Sequence, residues 1–522
     1  MNVLGVAGQG RDAAAAVARD GRLTAAVLDA VVARSRVTAP DGLPGWPATA
    51  IDACLTAAGI RADEIHQIVL VGDDNESDSE RRVGFDAPVS RVDPLAADAI
   101  HAMTSTGTVE GAVICSGSPR AIVAFEGPPA SMTRVGPLAD ADALEAAAGR
   151  LAAVLGVSGT DPLGSLDRLS SGAAAAHEPD VAAALDWPDR TPGETWIPYL
   201  DRLTAEYGGR LVDAGSAHVP VQRARASIAA SFLTTTAGRL AAAIRNLAGA
   251  RGWPHVALGG GWLAHARVVE ELRTALGPLA RFAAAPDASG RALGAALSAG
   301  VPASDWPGLA LGPSFTEGDI KHTLDNCRLD YVYEPDWTRL LTRVSKMLEQ
   351  GKVIAWFQGA ASFGGRSFGT RGILCDPSGR YARHNVNEYL RQVPLDTPLP
   401  IVVAPDAMAG LTEPVAAFEA RAMAVSQAWE AKIAGALDAR RHVEVHGVSA
   451  AQSPELCALL NLHYARTGTP ALIEVPLAGP GEPLACTPRD AVRIAYSSAA
   501  DALVIARLLL MKDHWLLRTE TT

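Results

Sequence analysis

Short apolar runs near the N-terminus are cut by turn residues. Val3 to Ala7 and Ala13 to Arg19 flank the turn-forming Gly8-Gln9-Gly10-Arg11-Asp12, and Asp20-Gly21 is a hairpin signal before Arg22 to Leu28. The chain therefore opens as strand, turn, strand in a mixed sheet. A helical stretch from Ala48 to Ala58 precedes a strand over His66 to Gly72 and an acidic loop from Asp73 to Glu80. Gly111 to Ile114 and Ala121 to Phe125 predict a second hairpin about Ser116-Gly117-Ser118-Pro119. Apolar residues then recur every three or four positions over Ala139 to Leu155 and Val221 to Ala248, the spacing of helices.

A short strand, His255 to Leu258, runs into Gly259-Gly260-Gly261-Trp262 and a helix from His265 to Leu276. Between Gly300 and Ser314 the chain turns rich in Pro, Gly and Trp, the signature of a domain boundary. A fresh α/β unit follows: helix Trp337 to Gln350, strand Val353 to Phe357, a glycine-rich loop to Thr370, and strand Gly372 to Cys375. Helix Pro454 to Thr467, extended Ala471 to Val475, and the apolar stretches Asp490 to Ser497 and Ala500 to Met511 complete it. No repeat with the roughly 20–50-residue period of solenoids is visible.

The 522 residues include 46 Lys or Arg and 57 Asp or Glu, a net charge of −11, which excludes a basic nucleic-acid coat protein. At 48% hydrophobic and 20% charged, the chain is globular rather than disordered. Cys54, Cys115, Cys327, Cys375, Cys457 and Cys486 are far apart, so neither zinc spacing nor a disulfide framework follows. The start of the chain lacks a basic n-region and long apolar core, and no apolar run approaches the roughly 20 residues of a membrane span. The expected location is cytoplasmic, with no membrane and no nucleic acid as partner.

Candidate chemistry concentrates in Gly351 to Pro377, where Arg366 and Arg371 stand in a Gly/Ser/Thr-rich loop between strands. Backbone N–H groups plus guanidinium forks are what an oxyanion such as phosphate needs. For an isolated loop of this kind, a surface loop with solvated arginines is an equal alternative. The stretch resembles the C-terminal domain of the O-carbamoyltransferases, which carbamoylate nodulation factors, cephalosporins, novobiocin-type sugars and aminoglycosides. The resemblance rests on Trp356-Phe357-Gln358-Gly359, Phe363-Gly364, Arg366, Gly369, Arg371, Ile373-Leu374 and Asp376-Pro377, without a gap. It extends to Leu311-Gly312-Pro313-Ser314-Phe315 upstream and to Thr467-Gly468-Thr469-Pro470, Gly481-Glu482-Pro483 and Thr487-Pro488-Arg489-Asp490-Ala491 downstream. In outline it also covers Gly5, Asp12-Ala13-Ala14-Ala15, Asp20-Gly21, Gly259-Gly260, Gly290 and Ala292-Leu293-Gly294-Ala295-Ala296.

This resemblance implies two α/β domains. The N-terminal one, 1–304, is expected to have the ASKHA fold of actin and sugar kinases, in which a metal ion assists transfer of the carbamoyl group to an acceptor hydroxyl. The C-terminal one, 305–522, is expected to be YrdC-like and to make carbamoyl-adenylate from carbamoyl phosphate and ATP. Arg366, Arg371 and Arg391 would hold the carbamoyl phosphate or the adenylate phosphate, and Gly259 with Gly260 would line a nucleotide-proximal turn.

The sequence departs from the family where metal ligands are expected. After Val92-Asp93 the family's histidines are replaced along Pro94, Leu95, Ala96, Ala97 and Asp98, and His101 stands three positions past the last of them. The family's first-turn His is Arg11, its Asp-Gly turn is Ser116-Gly117, and its Gly-Asp-Ala-Gly is Asp287-Ala288-Ser289-Gly290. No metal is therefore expected, and no catalytic residue is assigned. In the C-terminal domain Tyr389 stands at a Lys position, Leu395-Asp396-Thr397-Pro398-Leu399-Pro400 lacks the family's arginine, and Glu474-Val475-Pro476-Leu477-Ala478 replaces Asn-Thr-Ser-Phe-Asn. A carboxylate at 474 would repel carbamoyl phosphate unless paired; Lys352 matches a common family Lys.

Three functions stay open: an O-carbamoyltransferase of small-molecule tailoring; a degenerate homologue acting as binding or scaffold subunit of an active carbamoyltransferase; and an enzyme keeping only the phosphate or nucleotide chemistry of its C-terminal domain. The acceptor is unknown, and a homodimer or a hetero-oligomer with an intact carbamoyltransferase is expected.

Overall fold

The computed structural model describes the chain outside residues 9–12, 34–46, 73–84, 118–119, 158–160, 171–172, 186–194, 208–218, 285–289, 301–305, 380, 394, 396–398, 413–414, 416, 439–440 and 513–522. Arg11, the acidic loop after Gly72, Ser118-Pro119, Asp287-Ala288-Ser289, the 304/305 boundary and Asp396-Thr397-Pro398 thus lie outside the described residues.

The opening strands form as their pattern predicts: β1 (Asn2–Ala7), β2 (Ala14–Arg19) and β3 (Arg22–Leu28). Asp20 and Gly21 take φ of +51° and +76°, the left-handed pair that a two-residue hairpin turn requires. With β4 (Gln67–Val71) and β5 (Val89–Val92) they make a sheet of order β3-β2-β1-β4-β5, antiparallel across β1, β2 and β3 and parallel between β1 and β4. The parallel step needs a crossover, which the Ala48–Ala58 helix provides, its Ile51, Cys54 and Leu55 packed in the core of this sheet.

A second sheet repeats this plan. β6 (Gly111–Gly117), β7 (Arg120–Glu126) and β8 (Thr133–Ala139) are an antiparallel meander, while β9 (Val256–Gly259) and β10 (Ala280–Phe282) add in parallel, giving the order β8-β7-β6-β9-β10. Two copies of one five-stranded order are the duplicated plan expected of an ASKHA-type region. The long Val219–Arg251 helix lies in the core below the second sheet through Ile228, Phe232, Leu240 and Ile244. By length and composition this helix could cross a membrane, contrary to the expectation that no apolar run is long enough, yet 67% of its apolar window is buried inside the protein.

The third sheet is nine-stranded. It comprises β11 (Val332–Tyr333), β12 (Ile354–Phe357), β13 (Arg371–Cys375), β14 (Pro400–Val403), β15 (Ala420–Ala424), β16 (His442–His446), β17 (Ala471–Pro476), β18 (Ala502–Ile505) and β19 (Leu508–Met511). Their order is β11-β19-β18-β12-β13-β17-β14-β16-β15. Leu340, Val344 and Leu348 of the Trp337–Glu349 helix, with Leu456, Leu459 and Leu460 of Pro454–Thr467, join its core. Ala500 to Met511, read as one apolar stretch, contains the β18–β19 hairpin.

The chain divides into two compact units, Met1–Arg91 with Pro307–Thr522, and Val92–Trp306. The first sheet is thus grouped with the C-terminal residues. The Ala26 N–H donates to the Leu311 carbonyl at 3.0 Å, and Leu28, Val31 and Val32 pack with Leu484 and Cys486.

Candidate functional site

In the first unit the β12–β13 connection is shaped by left-handed backbone at Gly359 (φ +57°), Gly364 (+106°), Phe368 (+42°) and Gly369 (+86°). A non-glycine residue held at positive φ is strained and persists only where its surroundings enforce it. At Phe368 the enforcement is visible: the ring packs edge-on to Phe418, and Ser453 Oγ donates to the Phe368 carbonyl at 3.1 Å.

Arg371 differs from the expectation that it offers its fork to a phosphate. It is fully buried, and four N–H groups go to the carbonyls of Gln358, Thr370, Pro313 and Gly359. Its guanidinium carbon stands 3.5 Å from the centre of the Phe357 ring. Burial pushes the group down to about 9, still a cation at neutral pH. Arg371 thus ties both ends of the loop to the upstream Pro313 segment.

Arg366 and Arg391 share an electrostatic cluster. Arg366 Nη2 lies 3.6 Å from Glu444 Oε1, with both side chains about one-fifth exposed, at 21% and 22%. Arg391 closes the His384–Arg391 π-helical segment, a rare geometry enriched at functional sites, and donates to Asn387 Oδ1 at 3.0 Å. Its guanidinium adds to the field on Glu444. The same Glu444 oxygen lies 2.8 Å from His446 Nε2. Burial alone would raise the Glu444 carboxyl, but His446, Arg366 and Arg391 outweigh it and hold the group at about 2.

Glu474 is the opposite case. It is fully buried on β17, its Oε1 accepts the Gly369 N–H at 2.8 Å, and its Oε2 is buried without a hydrogen-bond partner. Room for it comes from Gly372, where a Cβ would stand 2.6 Å from Oε1. Burial pushes this carboxyl up, against the opposing pull of His446 and the Gly369 N–H, toward its uncharged acid. Glu444 and His446 were not singled out from sequence, although the period-two pattern of His442-Val443-Glu444-Val445-His446 sets all three polar residues on one face of a strand.

A buried Ser345–His463–Asp376 chain has the connectivity of a catalytic triad. His463 Nδ1 lies 3.0 Å from Ser345 Oγ, and Nε2 lies 3.1 Å from Asp376 Oδ2. Arg466 Nε donates to the same Oγ at 3.2 Å, and the Asp376 carboxylate, an acceptor only, takes the Nε2–H. Ser345 is 0% exposed, out of reach of any substrate. The chain braces two helices to the Asp376-Pro377 turn. Lys352 pairs with Asp501 at 3.1 Å at the start of β12.

In the second unit Gly259 and Gly260 sit where side chains do not fit. A Cβ on Gly259 would stand 2.9 Å from Ala102 Cβ, and one on Gly260, at φ +96°, would stand 2.3 Å from the Cys115 carbonyl oxygen. They let the end of β9 press on the Pro94–Thr106 helix and on β6.

The metal that the resemblance implies does not fit the described residues at its expected positions. Asp93 caps the Pro94–Thr106 helix, accepting the Leu95 and Ala96 N–H groups at 3.0 and 2.9 Å. Asp98 Oδ2 and Ser116 Oγ each lie 3.1 Å from a nitrogen of Arg291. A permanent cation between the two oxygens opposes a divalent ion at the same place. His101 is 4% exposed, packs beside Trp306 at 5.6 Å between ring centres, and its Nε2 is buried without a hydrogen-bond partner.

Residues 345–512 match the family model described as carbamoyltransferase C-terminus. An uncharacterized protein of Synechocystis sp. is 26% identical over 230 residues, covering 39% of this chain and 37% of that protein. Nodulation protein NolNO of Sinorhizobium fredii is 27% identical over 176 residues, 33% of this chain and 26% of that protein. The chain thus matches well under two-thirds of these relatives' length. Component A of the Acidaminococcus fermentans (R)-2-hydroxyglutaryl-CoA dehydratase aligns in structure over 57% of this chain and 96% of its own, at 17% identity and a TM-score of 0.35. The chain is an α/β protein with a duplicated five-stranded sheet plan and, over residues 345–512, a carbamoyltransferase C-terminal domain. Over its C-terminal part the chain is similar to carbamoyltransferases: residues 345–512 carry the family's C-terminal domain, and the nodulation proteins are 27–28% identical.

Proposed function

We propose that this chain serves the donor half of an O-carbamoyl transfer used in small-molecule tailoring. An oxyanion, carbamoyl phosphate or the adenylate phosphate formed from it with ATP, is held in the C-terminal domain by Arg366 and Arg391. The observation that carries this reading is that both arginines act on Glu444, a carboxylate still about one-fifth exposed. Two guanidinium groups acting on one partly exposed carboxylate are placed to act on an incoming oxyanion. Arg371 shapes the loop from beneath.

For the transfer step, the Asp98–Arg291–Ser116 cluster favours a second reading, in which the chain is a catalytically degenerate homologue. It then acts as a binding or scaffold subunit, as a homodimer or beside an intact carbamoyltransferase that supplies the metal-assisted step.

The test is pyrophosphate release from ATP by the purified full chain, with and without carbamoyl phosphate. Release that depends on carbamoyl phosphate and falls on Arg366→Met supports the donor reading. A folded protein that binds neither ATP nor carbamoyl phosphate supports the scaffold reading. Elemental analysis accompanies it: a stoichiometric transition metal lost on His101→Ala would overturn the metal-free reading of the second unit.

A further inference from the structure

Glu444 occupies the place an anion would take. Its Oε1 is within 4 Å of Arg366 and in hydrogen-bond contact with His446, two residues further along β16. The two contacts differ in quality. At 2.8 Å the His446 contact has the length of a charge-assisted hydrogen bond, whereas at 3.6 Å the Arg366 contact is well beyond one. The carboxylate is therefore anchored by its own strand and only loosely engaged by the guanidinium, so it can cede Arg366 without leaving His446. Arg366 and Arg391 both act on Glu444, and Glu474 lies fully buried on β17, two strands away in the sheet.

We propose that Glu444 is a built-in counter-anion of the Arg366–Arg391 cluster, one that an incoming oxyanion must displace from Arg366, and that it sets the affinity and charge selectivity of the site. This rests on reading the cluster as an anion site. With Glu444 in place an incoming anion meets a fixed negative charge, which opposes a dianion more than a monoanion. With Glu444 neutralised, a dianion gains most, because the repulsion removed scales with the ligand's charge.

The experiment is calorimetric titration of the full chain with inorganic pyrophosphate, carbamoyl phosphate and acetate. It compares wild type, Glu444→Gln, Glu444→Ala and the double variant Glu444→Gln/Arg366→Met, each checked for folding by thermal unfolding. The expected result is roughly tenfold or greater tightening for the two phosphate ligands in both single variants, less for acetate, with the gain abolished in the double variant. If Glu444→Gln is the variant that misfolds, Glu444→Ala carries the comparison. Wild-type binding that Glu444→Gln and Glu444→Ala leave unchanged or weaken would overturn the proposal while leaving the anion site standing. A cluster that binds no phosphate ligand in wild type or in either single variant would overturn both.

Discussion

Arg291 Nε lies 3.1 Å from Asp98 Oδ2, with only 12% and 6% of the two side chains exposed. The pair joins the Arg291–Ser298 helix to the Pro94–Thr106 helix, and Arg291 also reaches Ser116 on β6. Breaking one side of a buried pair strands the other charge. Asp98→Ala should therefore destabilise the protein by about 3–5 kcal/mol, whereas Asp98→Leu with Arg291→Met should be much closer to wild type. Urea denaturation of Asp98→Leu, Arg291→Met and the double variant measures the coupling. Strictly additive losses would mean that the contact carries no energy.

Arg371 is a different kind of arginine from Arg366, and one substitution separates them. The Thr370 and Pro313 carbonyls also accept the Gln358 and Ala361 N–H groups, so Arg371→Lys, which replaces a planar fork by a compact ammonium, puts the Gln358 and Gly359 carbonyls at risk and loses the stack on Phe357. Each buried acceptor left unpaired costs about 1–3 kcal/mol. The expected outcome is a lowered unfolding midpoint for Arg371→Lys and little change for Arg366→Lys, whose effect should fall on anion affinity. Equal midpoints for the two variants would contradict the buried role.

Much of this division could be read from the chain, and some could not. The β1–β3 meander, the Ala48–Ala58 and Pro454–Thr467 helices and the β12–β13 loop have strong local signals: a two-residue turn, apolar spacing, a glycine run. The duplication of the five-stranded plan leaves no sequence repeat, because a strand order is fixed by which edges pair and not by which apolar residues do the pairing. For the same reason the attachment of Met1–Arg91 to the C-terminal residues was invisible. Among the described residues it is marked by the Ala26–Leu311 backbone hydrogen bond and a small apolar cluster around Leu484. Arg366 and Arg371 were both legible as candidates, but composition does not show which of two arginines in a loop turns inward. Asp98 and Ser116 were read as lost ligands. That Arg291 fills the space between them required helix packing across a separation of 193 and 175 positions.

The glycines after β9 make a sharp local test. Gly260 combines a positive φ with a Cβ position 2.3 Å from the Cys115 carbonyl oxygen, while nothing stands within 4 Å of a Cβ on Gly261. Gly260→Ala must therefore move backbone against backbone, and should lower the unfolding midpoint by several degrees or prevent folding. Gly261→Ala should be nearly neutral. If Gly260→Ala folds as wild type, the close approach of β9 to β6 is looser than described.

His101 should give the second unit a pH-dependent stability. Burial lowers its pKa from 6.5 to about 4, with its Nε2 unpaired and Gly290 so close that a Cβ there would stand 1.9 Å from Nδ1. Between those two values the unfolded chain takes up a proton that the folded chain refuses. Stability is thus fully present above about pH 6.5, falls as the pH drops, and stops falling near pH 4, at a slope of at most about 1.4 kcal/mol per pH unit. His101→Leu keeps a side chain of similar bulk and removes the titration. Urea unfolding at pH 5.0, 6.0 and 7.0 should then show wild type losing stability faster than His101→Leu on acidification, because all other titrating groups are common to both. Parallel losses in the two proteins would show that His101 takes up its proton in the folded state, and that the space beside Gly290 and Trp306 is open enough to hydrate it.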